Sequence, residues 1–229
     1  VLDRLEKQKM FSEYINSDGS FKPEFYNEDY YERGKESGRG WLENYHLMPE
    51  RSIRESFAFI DYMGLDSQRD FILDFGCAKG FLVWAFRFLG YKAEGCDISD
   101  YALSFAPDGC WNCATLDSWR DHELRYSHIV CKDVFEHIEE KTLFSTLRGL
   151  TMFAPKMMCV IPMGDHGKYR IPEYHMEISH VIIENEIWWE DMFIGADWNV
   201  IKHTNHVPGL KDNWMNVPDG NHVFVLEAK

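Results

Sequence analysis

The chain has 229 residues, 45% hydrophobic and 27% charged, enough to bury one sizeable core with an appended segment and too apolar for a disordered or fibrous chain. Twenty-four Lys and Arg against 38 Asp and Glu give a formal net charge of -14, which repels polyanions, argues against nucleic-acid binding and favours neutral or cationic small partners. No apolar run approaches the roughly 20 residues that cross a bilayer, and no signal-peptide pattern opens the chain, so a soluble protein without a membrane partner is expected.

Residues 1–66 are polar and aromatic, with Tyr26, Tyr30, Tyr31, Trp41 and Tyr45 set among charges and little strand character. Their end predicts a helix from Pro49 through Met63, because Ile53, Phe57, Phe59, Ile60 and Met63 recur near a helical repeat and proline suits a first turn. Gly64 to Asp70 is the break. From Phe71 onward, short apolar runs alternate with longer helical stretches, the pattern of βαβ units and a parallel sheet. Strands are expected at 71–75, 92–97, 111–115, 127–132, 157–162, 198–204 and 222–228, with helices at 79–89, 99–106, 138–149 and 184–194. A Pro-, Gly- and Asn-rich loop separates the last two strands, which are therefore expected to pair antiparallel. A polar insertion, 164–181, carries His166, His175 and His180. The six cysteines (Cys77, Cys96, Cys110, Cys113, Cys131, Cys159) sit in or beside apolar runs, where Cys behaves as a small hydrophobe; reduced thiols and a cytoplasmic setting are expected. The start at Val1 rather than Met suits a domain of a longer chain, and nothing in the sequence sets the oligomeric state.

The stretch from Phe71 to Gly80, FILDFGCAKG, is a buried strand running into a small-residue turn and then an amphipathic helix. Small residues at 76, 78 and 80 let a ligand approach the backbone, and the free N–H groups and positive end of the following helix attract an anion. A dinucleotide fingerprint would place a small residue at 81, where this chain has Phe81, and that counts against a nicotinamide oxidoreductase. Instead the turn resembles the D/E-x-G-x-G-x-G signature of class I S-adenosylmethionine-dependent methyltransferases, with Ala78 in place of the middle glycine. A second segment, from Ser127 to Ile138, resembles that family's fourth strand and its trailing D-V-x-E-H-I sequence.

The resemblance covers roughly residues 70–229 and points to small-molecule or sugar-type members. It implies an α/β fold: a Rossmann-like, seven-stranded, mostly parallel sheet with an antiparallel last strand, helices on both faces and a helical or irregular N-terminal cap. Residues 1–66 would be the cap or lid and 67–229 the cofactor-binding domain, with the insertion at 164–181 near the acceptor. Gly76, Cys77, Ala78 and Gly80 would line the cofactor's methionine and ribose, with Asp74 orienting the methionine end. Asp97 would hold the ribose diol, Ile98 pack on the adenine, Asp117 reach the adenine amino group, and Asp133 add negative charge that attracts a sulfonium and an ammonium.

Methyl transfer from a sulfonium is an in-line displacement, so positioning supplies much of the catalysis. A hydroxyl acceptor must lose a proton, for which histidine is the natural base. His180 is the first candidate, on a loose resemblance of its segment to the family's histidine-bearing D-P-T-H-I stretch, followed by His175 and His137. The expected reaction is methylation of a hydroxyl, or less readily an amine, of a small polar metabolite such as a sugar or nucleotide sugar. A catalytically inactive cofactor-binding module serving assembly or regulation is the alternative. A third reading is metal-assisted: Asp133-x-x-Glu136-His137 with a later histidine echoes the E-x-x-E-H magnesium site of small-RNA and quinone O-methyltransferases, and no metal is assigned from it. Cys110-x-x-Cys113 is a lone pair on an expected strand with no second pair, which disfavours zinc or redox work by that motif.

Overall fold

The computed structural model describes residues 6, 9–115, 118, 119, 122 and 125–229. In chain order its strands are β1 (Phe71–Phe75), β2 (Lys92–Asp97), β3 (Cys110–Asn112), β4 (His128–Lys132), β5 (Lys156–Pro162), a two-residue hairpin of β6 (Gly164–Asp165) and β7 (Lys168–Tyr169), β8 (Trp198–Thr204) and β9 (Asn221–Ala228). The helices are α1 (Glu28–Ser37), α2 (Pro49–Met63), α3 (Phe81–Phe88), α4 (Asp100–Leu103), α5 (Glu140–Leu150) and α6 (Glu186–Gly195).

One sheet takes the order β3-β2-β1-β4-β5-β9-β8. Strands β1 to β5 pair in parallel, and β9 runs antiparallel to both its neighbours, β5 and β8. The central strands read as unbroken apolar runs because both faces are covered: Ile72 to Phe75 and Met157 to Pro162 are all buried. On one face α5 and α6 bring Leu143, Leu147, Trp189 and Phe193 into a core with Ile129, Cys159 and Phe224. On the other, Phe59 of α2 and Val83 and Phe86 of α3 pack over Ile72, Val130 and Met158. Helix α2 has the expected ends, proline in its first turn and Gly64 at φ 65 beyond its last. Strand order reverses between β1 and β4, so the connections that follow these two strands leave their carboxyl ends in opposite directions.

Three elements are at least two residues shorter than the sequence pattern implies. Helix α3 covers 81–88 rather than 79–89, because Gly80 before it is left-handed at φ 70. Strand β3 covers 110–112 rather than 111–115, because the Asn112 side chain turns back to accept the Ala114 N–H at 2.8 Å and ends the ladder. Helix α4 covers 100–103 rather than 99–106: Ser104 donates its hydroxyl to the Tyr101 carbonyl, and Pro107 disfavours helical backbone at the residue before it.

Candidate active site

The turn after β1 owes its shape to left-handed backbone at three alternate positions: φ is +78 at Gly76, +49 at Ala78 and +70 at Gly80. It also owes its glycines to crowding. A Cβ on Gly76 would lie 2.3 Å from Val134 Cγ2, and one on Gly80 would lie 2.5 Å from Pro107 Cδ. The turn is tied to β2, with the Gly76 and Cys77 N–H groups donating to the Cys96 carbonyl at 2.8 and 2.9 Å. The Ala78 N–H donates to Asp97 Oδ2 at 2.8 Å, while Oδ1 of the same carboxylate accepts the Ser99 N–H at 2.9 Å. Burial pushes the Asp97 carboxyl above its usual range, against these backbone donors. Helix α3 starts at Gly80 with no side-chain cap, so its first-turn N–H groups remain available to an anion. Asp74, 3% exposed, makes no side-chain hydrogen bond among the described residues. Burial, then the neighbouring Cys110 and Asp97, push its carboxyl far up.

Past β4 the chain makes a second left-handed step at Asp133, φ +58. Its Oδ2 accepts from Lys132 at 3.0 Å and from Lys211 at 2.6 Å. Burial pushes this carboxyl up, but the two ammonium groups outweigh it and hold Asp133 below the carboxylate range. Lys211 comes from the β8–β9 loop and also donates to the Tyr174 hydroxyl at 3.1 Å. Glu136 is fully buried, and neither carboxylate oxygen has a hydrogen-bond partner. Burial, then the Asp133 charge, push its pKa well up. His180 Nε2 lies 3.8 Å from Glu136 Oε1, and the His137 and His180 rings are 4.6 Å apart. His137 Nδ1 lies 2.9 Å from Ser179 Oγ, which donates to Glu177 Oε1 at 2.8 Å. Glu136, His137 and His180 each offer one ligand atom, all within 4.8 Å of one another. Beside them Glu139, Glu184 and Trp188 line a cavity of about 160 Å³.

The N-terminal segment covers this edge. Phe21, Phe25, Tyr26, Tyr30 and Tyr31 form an aromatic cluster with Ala102 and Ile178, held from within by the buried Arg39 guanidinium, 4.7 to 4.9 Å from the rings of Phe11, Tyr14 and Phe25. Its connections run to the turn itself. Lys79, 7% exposed, pairs with Glu32 of α1 and donates to the Tyr45 carbonyl at 2.7 Å. The Tyr101 hydroxyl donates to the same Glu32 at 3.1 Å, the Tyr45 ring stacks on Phe81 at 5.0 Å, and Ser99 Oγ donates to the Tyr26 carbonyl.

Asp74, Gly76, Cys77, Ala78, Gly80, Asp97, Ile98 and Asp133 all lie at the ends of β1, β2 and β4, with Ile98 half-buried between the aromatic cluster and the core. Asp117 lies outside the described residues. His137 and His180 are brought together, whereas His175 accepts the Tyr169 N–H on Nε2 at 3.0 Å and, like His180, packs near the Tyr169 ring. Sequence reasoning passed over Lys79, Glu32, Lys211, Glu177 and Ser179. Only Lys79 carried a visible signal, a long cation among small residues; the others depend on segments that meet solely in the folded chain.

No protein-family profile and no curated protein matches the sequence. Solved structures do. A chain of the complex between the Haloferax volcanii Trm112 methyltransferase activator and a methyltransferase superposes with a TM-score of 0.60 at 14% identity, over 78% of this chain and 90% of that one. A SAM-dependent methyltransferase from Archaeoglobus fulgidus gives 0.58 at 10% identity, over 77% and 94%. The Burkholderia thailandensis 1,6-didemethyltoxoflavin-N1-methyltransferase, solved with 1,6-didemethyltoxoflavin and S-adenosylhomocysteine, gives 0.54 at 13% identity, over 79% of each chain. The fold is the Rossmann-like fold that these structures share.

Proposed function

We propose that the chain is an S-adenosylmethionine-dependent methyltransferase that acts on a hydroxyl, or less readily an amine, of a small polar metabolite such as a sugar or nucleotide sugar. The observation that carries this reading is the joint between Asp97 and the turn: one buried carboxylate at the end of β2 is held by the Ala78 N–H beside an uncapped helix start. These groups fit the cofactor. The first-turn N–H groups of α3 suit its carboxylate, Asp74, without a hydrogen bond, suits its ammonium, and the remaining lone pairs of Asp97 suit a ribose diol. Gly76, Cys77, Ala78 and Gly80 supply the close backbone and Ile98 an apolar face for the base, whereas the charge expected of Asp133 is already matched by Lys132 and Lys211.

When bound, the cofactor supplies an activated methyl group on a sulfonium. The chain's own task is then to position and dry the acceptor. His180, beside Glu136 at the end of the insertion, takes the acceptor proton, and His137 and Ser179 hold its surroundings in place. Residues 1–66 act as the lid, excluding water from the transfer. Because Glu32, Tyr45 and Tyr26 are bonded to the turn and the Ser99 loop, this lid lifts to admit the cofactor.

Calorimetry with S-adenosylhomocysteine tests the reading: saturable binding that Asp97→Ala weakens at least about tenfold, or about 1.4 kcal/mol, supports it. No binding to the intact chain refutes it, and binding without turnover on any acceptor favours a non-catalytic module.

A second, metal-assisted reading draws on the close approach of Glu136, His137 and His180, where a fully buried carboxylate faces two imidazoles. A divalent cation there would polarise an acceptor oxygen. Manganese titration followed by electron paramagnetic resonance, without cofactor, should show one bound ion that Glu136→Gln removes; no binding excludes the metal.

A further inference from the structure

The glycine turn carries a thiol that the proposed chemistry does not use. Cys77 is buried, and its side chain lies over the backbone of Gly95 in β2, where a Cβ would come within 2.7 Å of its Sγ. Gly95 is the register partner of Cys110, the first residue of β3. The missing side chain at 95 therefore leaves room beside Cys77 on the face that Cys110 shares, and both cysteines pack in one apolar cluster, with the Cys77 thiol donating to the Ala78 carbonyl at 3.6 Å. The two are unequal. Cys110 is half-buried, beside the Arg87 guanidinium, which is itself fixed by bonds to the Ala93 and Asp108 carbonyls at 2.8 and 2.7 Å. The neighbouring Cys77 thiol, aided by the Arg87 guanidinium and opposed by burial, lowers the Cys110 thiol, whereas the Cys110 neighbour and burial raise Cys77 well up. A second thiol pair, Cys96 and Cys113, lies within the core on the α5 and α6 face, with both members buried.

We propose that Cys110 and Cys77 are a peroxide-sensitive dithiol whose reversible oxidation ties the glycine turn to β3. Cys110, more acidic and reachable, is the attacking thiolate, and Cys77 is the resolving thiol. The thiolate attacks a hydroperoxide oxygen: an S–O bond forms, the O–O bond breaks, and the leaving oxygen takes a proton from water. Cys77 sulfur then attacks the Cys110 sulfenic sulfur. The S–S bond forms, the S–O bond breaks, and the hydroxyl leaves as water with the Cys77 proton. Two thiols are oxidised by two electrons and one peroxide is reduced. A disulfide draws the sulfurs to about 2.0 Å, which displaces Cys77 and with it the N–H groups that meet Cys96 and Asp97. On the cofactor reading, on which this last consequence rests, oxidation weakens cofactor binding.

The test uses the full chain treated with hydrogen peroxide. The expected result is a mass loss of two hydrogens, reversed by dithiothreitol, with a crosslinked peptide joining Cys77 to Cys110. Affinity for S-adenosylhomocysteine should fall at least about tenfold on oxidation, while Cys110→Ser forms no crosslink and keeps the reduced affinity through peroxide treatment. A crosslink mapped to Cys96 and Cys113, or higher oxidation without a crosslink, overturns the dithiol. Unchanged affinity in fully crosslinked protein overturns the coupling to the turn. If reduced protein binds no S-adenosylhomocysteine, the cofactor reading fails, and the peptide map alone decides the dithiol.

Discussion

Gly76→Ala tests the geometry on which the site is built. At φ +78 an L side chain meets its own backbone, a cost of about 1–2 kcal/mol. The new Cβ would also sit 2.3 and 2.9 Å from the two γ-methyls of Val134, so the loop after β4 must move, and overpacking of this kind costs about 1–3 kcal/mol. The sum, roughly 2–5 kcal/mol, corresponds to a fall in Tm of roughly 4–20 °C for a chain of this size. Urea unfolding of Gly76→Ala, Val134→Ala and the double variant separates the two costs. Removing the γ-methyls relieves the clash and leaves the backbone term, so the cycle should show coupling of about 1–3 kcal/mol with unchanged m-values. A Gly76→Ala protein within about 0.5 kcal/mol of the parent, or a cycle with no coupling, would falsify the packing of the turn against Val134.

Asp97→Asn keeps the shape but replaces a carboxylate that accepts two backbone N–H groups. It should lower unfolding free energy by about 1–3 kcal/mol and weaken S-adenosylhomocysteine binding in the same protein, as denaturation and calorimetry would report. Glu32→Gln removes the charge facing Lys79; because Glu32 retains 23% side-chain exposure, a loss of about 1–3 kcal/mol is expected, together with faster proteolytic cutting within residues 12–45. Burial, then the neighbouring His203, lower the His222 imidazole from 6.5 to about 4. The folded state thus binds its proton less readily than the unfolded chain. Stability from this site is complete above about pH 6.5 and drains away as pH falls toward 4. The slope of Tm against pH over that window should flatten in His222→Phe, and an unaltered slope would count against a buried neutral imidazole.

How much of this was legible beforehand follows from how local each feature is. The limits of β1, β2 and β8 and of α2 follow from apolar periodicity and from terminal prolines and glycines, signals contained within a few residues. The glycine turn was visible for the same reason, since left-handed backbone selects small residues wherever the rest of the chain goes. The ends of β3 and α4 were misjudged because single side chains, Asn112 and Ser104, satisfy backbone groups that the apolar pattern would have left to the ladder or the helix.

Tertiary structure alone decided which distant groups share one environment. Lys211 reaches Asp133 across 78 positions and Glu32 reaches Lys79 across 47, pairings that no short-range pattern encodes because loop closure, not periodicity, brings them together. It also distinguished three similar histidines, burying His180 against Glu136 beside His137 while giving His175 to a backbone N–H of the insertion. Periodicity and turn chemistry are written in neighbouring residues and dictate elements. The meeting of charges at the sheet's edge depends on where those elements end in space, and only the packed chain determines that.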